Sequence, residues 1–321
     1  MKRRGIAIVL ALVLAVAALA LIYYLNRLRG LEGSTVSNNT LCNIRAGLNV
    51  SGTERIAGRW LVYMNSSGLY IHSIMGGAAR RLDVRGDVSD AAPLGDGRGV
   101  VLLCGKSGNA VVLRVLVLGQ EGVLESFELP SPFKSIDECI SAYMVWAGDE
   151  RVFFPRQGLL LDIGRRALSK ANVTGELSLN GTRYVLVDAF WLDGARYAVY
   201  QSVLAVGGGA RWALYVVAEH EGRKHGYFLS LNSTGTVGFV VHRGRVYLYV
   251  VSIEGLKGSS LSVYDADTGR LVCRRRLGYL VAFSPTRNYG DIDGDGRGDI
   301  LLFAGNSPEP RSLALLWVEL R

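Results

Sequence analysis

The sequence predicts an all-β chain assembled from a repeated unit, and three observations carry that expectation. From about residue 55 onward, short runs rich in Val, Ile, Leu, Tyr, Phe and Trp alternate with turns of Gly, Asn, Asp and Ser. This is the pattern of strands joined by tight hairpins. The 40 glycines supply the positive-φ positions that many such turns require. After the N-terminal segment, no long stretch carries apolar residues at helical spacing.

The first element is not part of that pattern. Gly5 to Leu25 reads GIAIVLALVLAVAALALIYYL and contains no charge. As a helix it would be about 31 Å long, the thickness of a bilayer's hydrocarbon core. Lys2, Arg3 and Arg4 precede it, so the positive-inside rule keeps the N-terminus cytoplasmic and exports the rest. A cleaved signal peptide is the competing reading, with small-x-small sites at Ala15–Ala17 and Ala18–Ala20. The apolar run continues past both, beyond the usual length of a signal-peptide core. A retained transmembrane anchor over residues 1–30 is therefore expected. Residues 31–54, rich in Ser, Asn, Thr and Gly, read as a stalk, and 55–321 as the exported domain.

That domain divides into six similar units. The first carries RWLVYM, LYIHSI and ARRLDV, with turns at Asn65–Gly68 and Gly76-Gly77. The second carries GVVLLCG, AVVLRVLVL and GVLESFEL, and the third SAYMVWA, RVFFP and GLLLDI. RYVLVDAFW, ARYAVYQSVL and RWALYVVAE form the fourth, and VGFVVH, RVYLYVVS, SLSVYDA and RLVCRR the fifth. The sixth holds DILLFAG and SLALLWVEL. The units begin near residues 55, 90, 136, 182, 235 and 279, close to the repeat length of four-stranded propeller blades. The expected fold is a β-propeller of about six irregular blades, with a pair of β-sandwiches as the alternative. The final run, Ser312 to Leu320, is expected to pair with the first blade, since closing a ring removes exposed sheet edges.

One stretch carries metal chemistry. In Gly290–Gly305, GDIDGDGRGDILLFAG, the acids Asp291, Asp293 and Asp295 alternate, Gly296 follows, and Asp299 opens an apolar run. Alternating carboxylates converge in a tight loop, Gly296 permits the turn, the Arg297 carbonyl adds a neutral oxygen, and Asp299 closes the shell. Oxygen-only ligation of this kind favours Ca2+. It is not an EF-hand, whose twelfth position needs Glu, because that position here is Leu302. The pattern D-x-D-x-D-G-x-x-D before a strand resembles the calcium loops of FG-GAP repeats in integrin-alpha-type β-propellers. The resemblance covers about 16 residues. It implies Asp291, Asp293, Asp295 and Asp299 as side-chain ligands and Arg297 as a carbonyl ligand. Gly95–Leu103 mirrors Gly294–Leu302, with Val100 where the closing acid would stand. Asp265, Thr268 and Gly269 further resemble the D-x-x-T-G repeat of quinoprotein-like propellers, with Cys273 in place of that family's Trp.

Charge and composition narrow the partners. Lys and Arg number 36 against 28 Asp and Glu. Five of the basic residues (Lys2, Arg3, Arg4, Arg27 and Arg29) lie ahead of the first acid, Glu32, so the exported part is nearly neutral. That argues against nucleic-acid binding, which needs a concentrated basic face. Glycosylation sequons begin at Asn38, Asn49, Asn65, Asn172, Asn180 and Asn232, as expected of an extracellular glycoprotein. Cys42, Cys104, Cys139 and Cys273 show no metal-binding spacing, and an oxidising compartment allows three disulfide pairings among them.

Catalytic patterns are weak. His220 to His225 misses the HExxH spacing by one residue, and Gly207–Gly209 lacks a strand-to-helix context. The triplets at Arg85 and Arg297, both RGD, read as turn composition. The expected function is a membrane-anchored, extracytoplasmic binding or scaffold module, stabilised by one Ca2+, that meets a protein or glycan through its blade loops. The alternative is an exported hydrolase or oxidoreductase acting in the central channel, where some of His72, His220, His225 and His242 would have to meet acids.

Overall fold

The computed structural model describes residues 42–84, 86–206, 209–231, 235–255, 258–306 and 313–321. The expected membrane anchor, the first half of the stalk, and the sequons at Asn38 and Asn232 lie outside these residues. Among the described residues no helix is long and apolar enough to cross a membrane.

The described residues form six antiparallel sheets. Blade 1 is β2 (Arg55–Ala57), β3 (Trp60–Asn65), β4 (Gly68–Ser73) and β5 (Arg80–Leu82). Blade 2 is β6 (Asp87–Pro93), β7 (Gly99–Ser107), β8 (Ala110–Gly119) and β9 (Gly122–Pro130). A one-turn helix, α1 (Ile136–Ile140), leads into blade 3, which is β10 (Val145–Trp146), β11 (Arg151–Phe154), β12 (Leu159–Asp162) and β13 (Ala167–Lys170). Blade 4 has five strands, β14 (Glu176–Leu179), β15 (Thr182–Leu192), β16 (Ala195–Val206), β17 (Gly209–His220) and β18 (Arg223–Leu231). Blade 5 is β19 (Gly235–His242), β20 (Arg245–Ile253), β21 (Ser259–Asp265) and β22 (Leu271–Arg276). Blade 6 is β23 (Val281–Phe283), β24 (Asp299–Gly305) and β25 (Leu313–Leu320), completed by β1 (Cys42–Val50). The chain is a six-bladed β-propeller; blades 1, 2, 5 and 6 start close to where the repeat pattern places them, whereas blade 3 starts with β10, after α1, and blade 4 starts with β14, a strand ahead of the expected first one.

Two expectations need correction. Residues 42–50 are not stalk. They form β1, which pairs along the whole of β25 from Cys42↔Leu320 to Val50↔Leu313, with one irregularity between Ala46 and Asn49. The physical reason is visible in the burial: Cys42 and Val50 are buried and Ile44 packs on the core, so the strand contributes apolar ends within a polar-looking sequence. The C-terminal run likewise does not join blade 1. It is an inner member of blade 6, hydrogen-bonded to β24 on one side and to β1 on the other. The ring is closed by the N-terminal strand.

The core lies between blades as well as within them. Trp146 of blade 3 meets Phe190 of blade 4 edge-on, with ring centres 4.9 Å apart, and Phe190 packs on Phe239 of blade 5. Two disulfides add cross-blade ties. Cys42–Cys273 joins β1 of blade 6 to β22 of blade 5, and Cys104–Cys139 joins β7 to α1.

The axis is occupied by the chain itself. Between β23 and β24, residues 284–292 bulge inward and run beside the first strands of other blades. Tyr289 pairs in parallel with Val240 and Asp291 with Asp96. Asn288 donates to the Trp146 carbonyl and to Asp188 Oδ1 (3.2 Å), and accepts from the Phe239 N–H at 2.8 Å, so one side chain links blades 3, 4 and 5. The bulge fits because Gly238 has no side chain: a Cβ there would sit 1.4 Å from the Arg287 carbonyl oxygen.

Candidate functional site

The ring has two distinct ends. At one end lie Arg55 at the start of β2, Asp90 in β6, Val145 at the start of β10 and Thr236 in β19. At the other lie the turns that leave these strands, including His242 at the end of β19, whose Nδ1 accepts from the Gly298 N–H at 3.1 Å. Burial and the neighbouring Arg243 and Arg297 hold the His242 imidazole below its ordinary pKa, in keeping with that acceptor role.

The aspartate loop sits at this second end. Asp291 closes it from within: Oδ1 accepts from the N–H groups of Gly294 (2.7 Å) and Asp295 (3.1 Å), and Oδ2 from Gly296 (2.8 Å). Asp299, fully buried, accepts from the Ile292 N–H at 2.8 Å and from Trp317 Nε1 at 2.7 Å. Burial is the main force pushing its carboxyl up to about 7, against those two donors and helped by Asp293 and Asp291. Burial, then Asp295 and Asp291, also raise Asp293.

Oxygens of Asp291, Asp293 and Asp299 all lie within 4.8 Å of one another. Asp295 stands outside this group. Its Oδ1 accepts from the Arg297 N–H at 2.9 Å, and its Oδ2 lies 3.7 Å from the Arg297 guanidinium. Arg297 in turn pairs with Glu319. The converging set is oxygen-only and held by N–H donors, and Arg45 lies 4.0 Å from Asp293. Such a donor set fits Ca2+, with Asp291, Asp293 and Asp299 as the residues that would hold it. The related loop at Gly95–Gly99 adjoins this one through the Asp96–Asp291 bridge; it supplies no acid to the converging set.

At the opposite end a cavity of about 460 Å3 opens on the axis. Its walls include Arg55, Asp90, Thr236, Ser284, Thr286 and Arg287. Asp90 accepts from the Met144 N–H at 2.8 Å and lies 3.3 Å from Arg55 Nε. Burial pushes its carboxyl up to about 6 in spite of those contacts. Arg287 donates to the Val187 carbonyl and lies over the Tyr143 ring, 5.0 Å from its centre. Deeper along the axis, Asp188 is fully buried and pushed up to about 7 by that burial, against the nearby Arg287. Its Oδ2 and the Thr286 hydroxyl are both buried without a hydrogen-bond partner. None of the four histidines lines this cavity: His220 pairs with Asp267 at 2.6 Å, His242 serves the aspartate loop, and His72 and His225 lie on β4 and β18. Sequence reasoning did not single out Asp90, Asp188, Thr286 or Arg287, because they come from separate units and share no spacing.

No protein-family model matches the chain, and no curated protein matches it. Solved structures similar to it include a subtype N10 neuraminidase-like protein of A/little yellow-shouldered bat/Guatemala/060/2010, 9% identical, covering 87% of this chain and 99% of that one at a TM-score of 0.42. The β-propeller domain of the Trilobed protease from Pyrococcus furiosus is 12% identical, covers 87% of this chain and 81% of that domain, and gives a TM-score of 0.38. The fold assignment rests on the sheet topology described above.

Proposed function

We propose that the chain is a membrane-anchored, extracytoplasmic propeller that binds a protein or glycan partner through its blade loops, without catalysing a reaction, and that one Ca2+ stabilises it. The observation that carries the calcium part is the convergence of Asp291, Asp293 and Asp299 at the start of β24. A cation there would offset the mutual repulsion of the carboxylates and the cost of burying Asp299, and would tie the turn to the middle of blade 6. Export is supported by two disulfides, which persist in oxidising compartments. It is further supported by the exposure of all four described sequon asparagines, Asn49, Asn65, Asn172 and Asn180.

Thermal unfolding with excess Ca2+ and then with chelator tests the calcium part. A ligand that binds only the folded state raises its stability, so the midpoint is expected to rise with Ca2+. The double variant Asp293→Ala with Asp295→Ala is expected to lose that shift. A calcium shift that survives intact in the double variant removes the metal from this loop.

A further inference from the structure

We propose that the axial cavity, at the end of the ring opposite the aspartate loop, binds a small polar molecule through its carboxylate or phosphate group, held by Arg55, Arg287 and the Thr286 hydroxyl. This goes beyond the calcium-stabilised binding reading and stands on different residues.

The cavity has the volume of a small-molecule site, and its cations arrive from two separate blades. Arg55 is anchored at the start of β2 through Nε to Asp90 and through Nη1 to the carbonyls of Thr53 and Glu54. Its side chain is still 43% exposed. Arg287 is fixed by the Val187 carbonyl and by stacking on Tyr143. Guanidinium groups already immobilised by such contacts present their remaining N–H groups in a fixed plane, the geometry that grips carboxylate and phosphate oxygens in pairs.

The second observation is Thr286. It is only 5% exposed, it lines the cavity, and its hydroxyl has no partner. Buried hydroxyls are almost always bonded, and an oxyanion entering between the two arginines would accept the proton that Thr286 offers. Asp90 already engages Arg55 through Nε, whereas Asp188, pushed up to about 7 by burial, carries only part of its charge at neutral pH and leaves Arg287 incompletely neutralised. Tyr143, beneath Arg287, is the other titratable group on the wall.

The experiment is calorimetric titration of the full-length protein with glucuronate, with inorganic phosphate and with uncharged glucose. At least one anion is expected to bind with one-to-one stoichiometry, and glucose is expected not to bind. Binding of glucuronate alone identifies a carboxylate ligand, and of phosphate alone a phosphate ligand. Arg55→Gln is expected to weaken the anion about tenfold, the loss typical of one charged hydrogen bond. Thr286→Val is expected to weaken it severalfold, while Thr286→Ser, which keeps the hydroxyl, restores it. Should Arg55→Gln fail to fold, the Val and Ser pair at 286 decides. The proposal is overturned if neither anion binds at about 10 mM, if glucose binds as well as the anions do, or if Thr286→Val binds as tightly as the unaltered protein.

Discussion

Asp188 shows how a single carboxyl at the axis sets the response of the protein to pH. Its Oδ1 is held by the Ala189 N–H at 2.7 Å and by Asn288, while Oδ2 has no partner. Burial therefore keeps the folded-state proton on Asp188 up to about pH 7, whereas an unfolded chain releases it near pH 4. Between those values the folded state binds more protons than the unfolded one, so stability falls as pH rises through this window and levels off above it. Asp90, raised to about 6 by burial, acts in the same direction over a narrower range. Asp188→Asn is expected to stabilise the protein at pH 8 by roughly 2–4 kcal/mol and to reduce the fall of its melting temperature between pH 5 and 8, part of which the other raised carboxyls retain. A variant that melts below the unaltered protein at pH 8 would show that the carboxylate is ionised and paired in the folded state. Glycine matters at the same scale. Gly238 admits the Arg287 carbonyl, and Gly290 comes within 2.9 Å, measured from its ideal Cβ, of the Gly95 backbone, which is why the axis can hold a strand-like segment at all.

The strands themselves show what a sequence exposes and what it conceals. Units with alternating or continuous apolar runs, such as Gly99–Ser107 and Arg245–Ile253, announce themselves because burial on both faces demands an unbroken series of Val, Leu and Tyr. The turns announce themselves as well, since Gly97, Gly244 and Gly296 adopt positive φ. β1 does not, because its middle residues are exposed and only its two ends are buried. Its partner is 274 residues away for Arg45 and Glu319, which share an ion pair, and no local pattern encodes such a pairing. The aspartate loop was legible because two of its three converging side chains are near neighbours in the chain and the third follows a few residues later. Asp295 shares the spacing, but its carboxylate is engaged by Arg297 and stands outside the converging set. The axial cavity was not legible, because it gathers one or two residues from each of several blades. The closure makes a firm expectation for β25. As an inner strand bonded on both sides, its removal would expose two ladders, so deletion of residues 313–321 should leave little folded protein. A deletion that gives a soluble, cooperatively melting species would refute this role.

At the scale of the whole molecule, the two disulfides divide the work of holding the ring. Cys104–Cys139 encloses 35 residues, and Cys42–Cys273 spans 231. In the chain-entropy model the longer span constrains the unfolded chain more, by about 5 kcal/mol against about 4. Reduction is expected to lower the melting midpoint of the intact protein by several degrees. Cys42→Ser should reproduce most of that loss, and a midpoint unmoved by reduction would place ring closure on the β1–β25 ladder alone. Comparison of the melting curves with and without reductant in both proteins checks this.

The position of Cys42 has a mechanical meaning. It is the first residue of β1, so a pull arriving along the chain from the N-terminal side meets the covalent bond to β22 before it reaches any hydrogen bond of the β1–β25 ladder. Tension is handed through sulfur to β22, the outer strand of the fifth blade, and bypasses the ladder of the strand that completes the ring. A propeller wired in this way can be pulled from its N-terminal side without being peeled open.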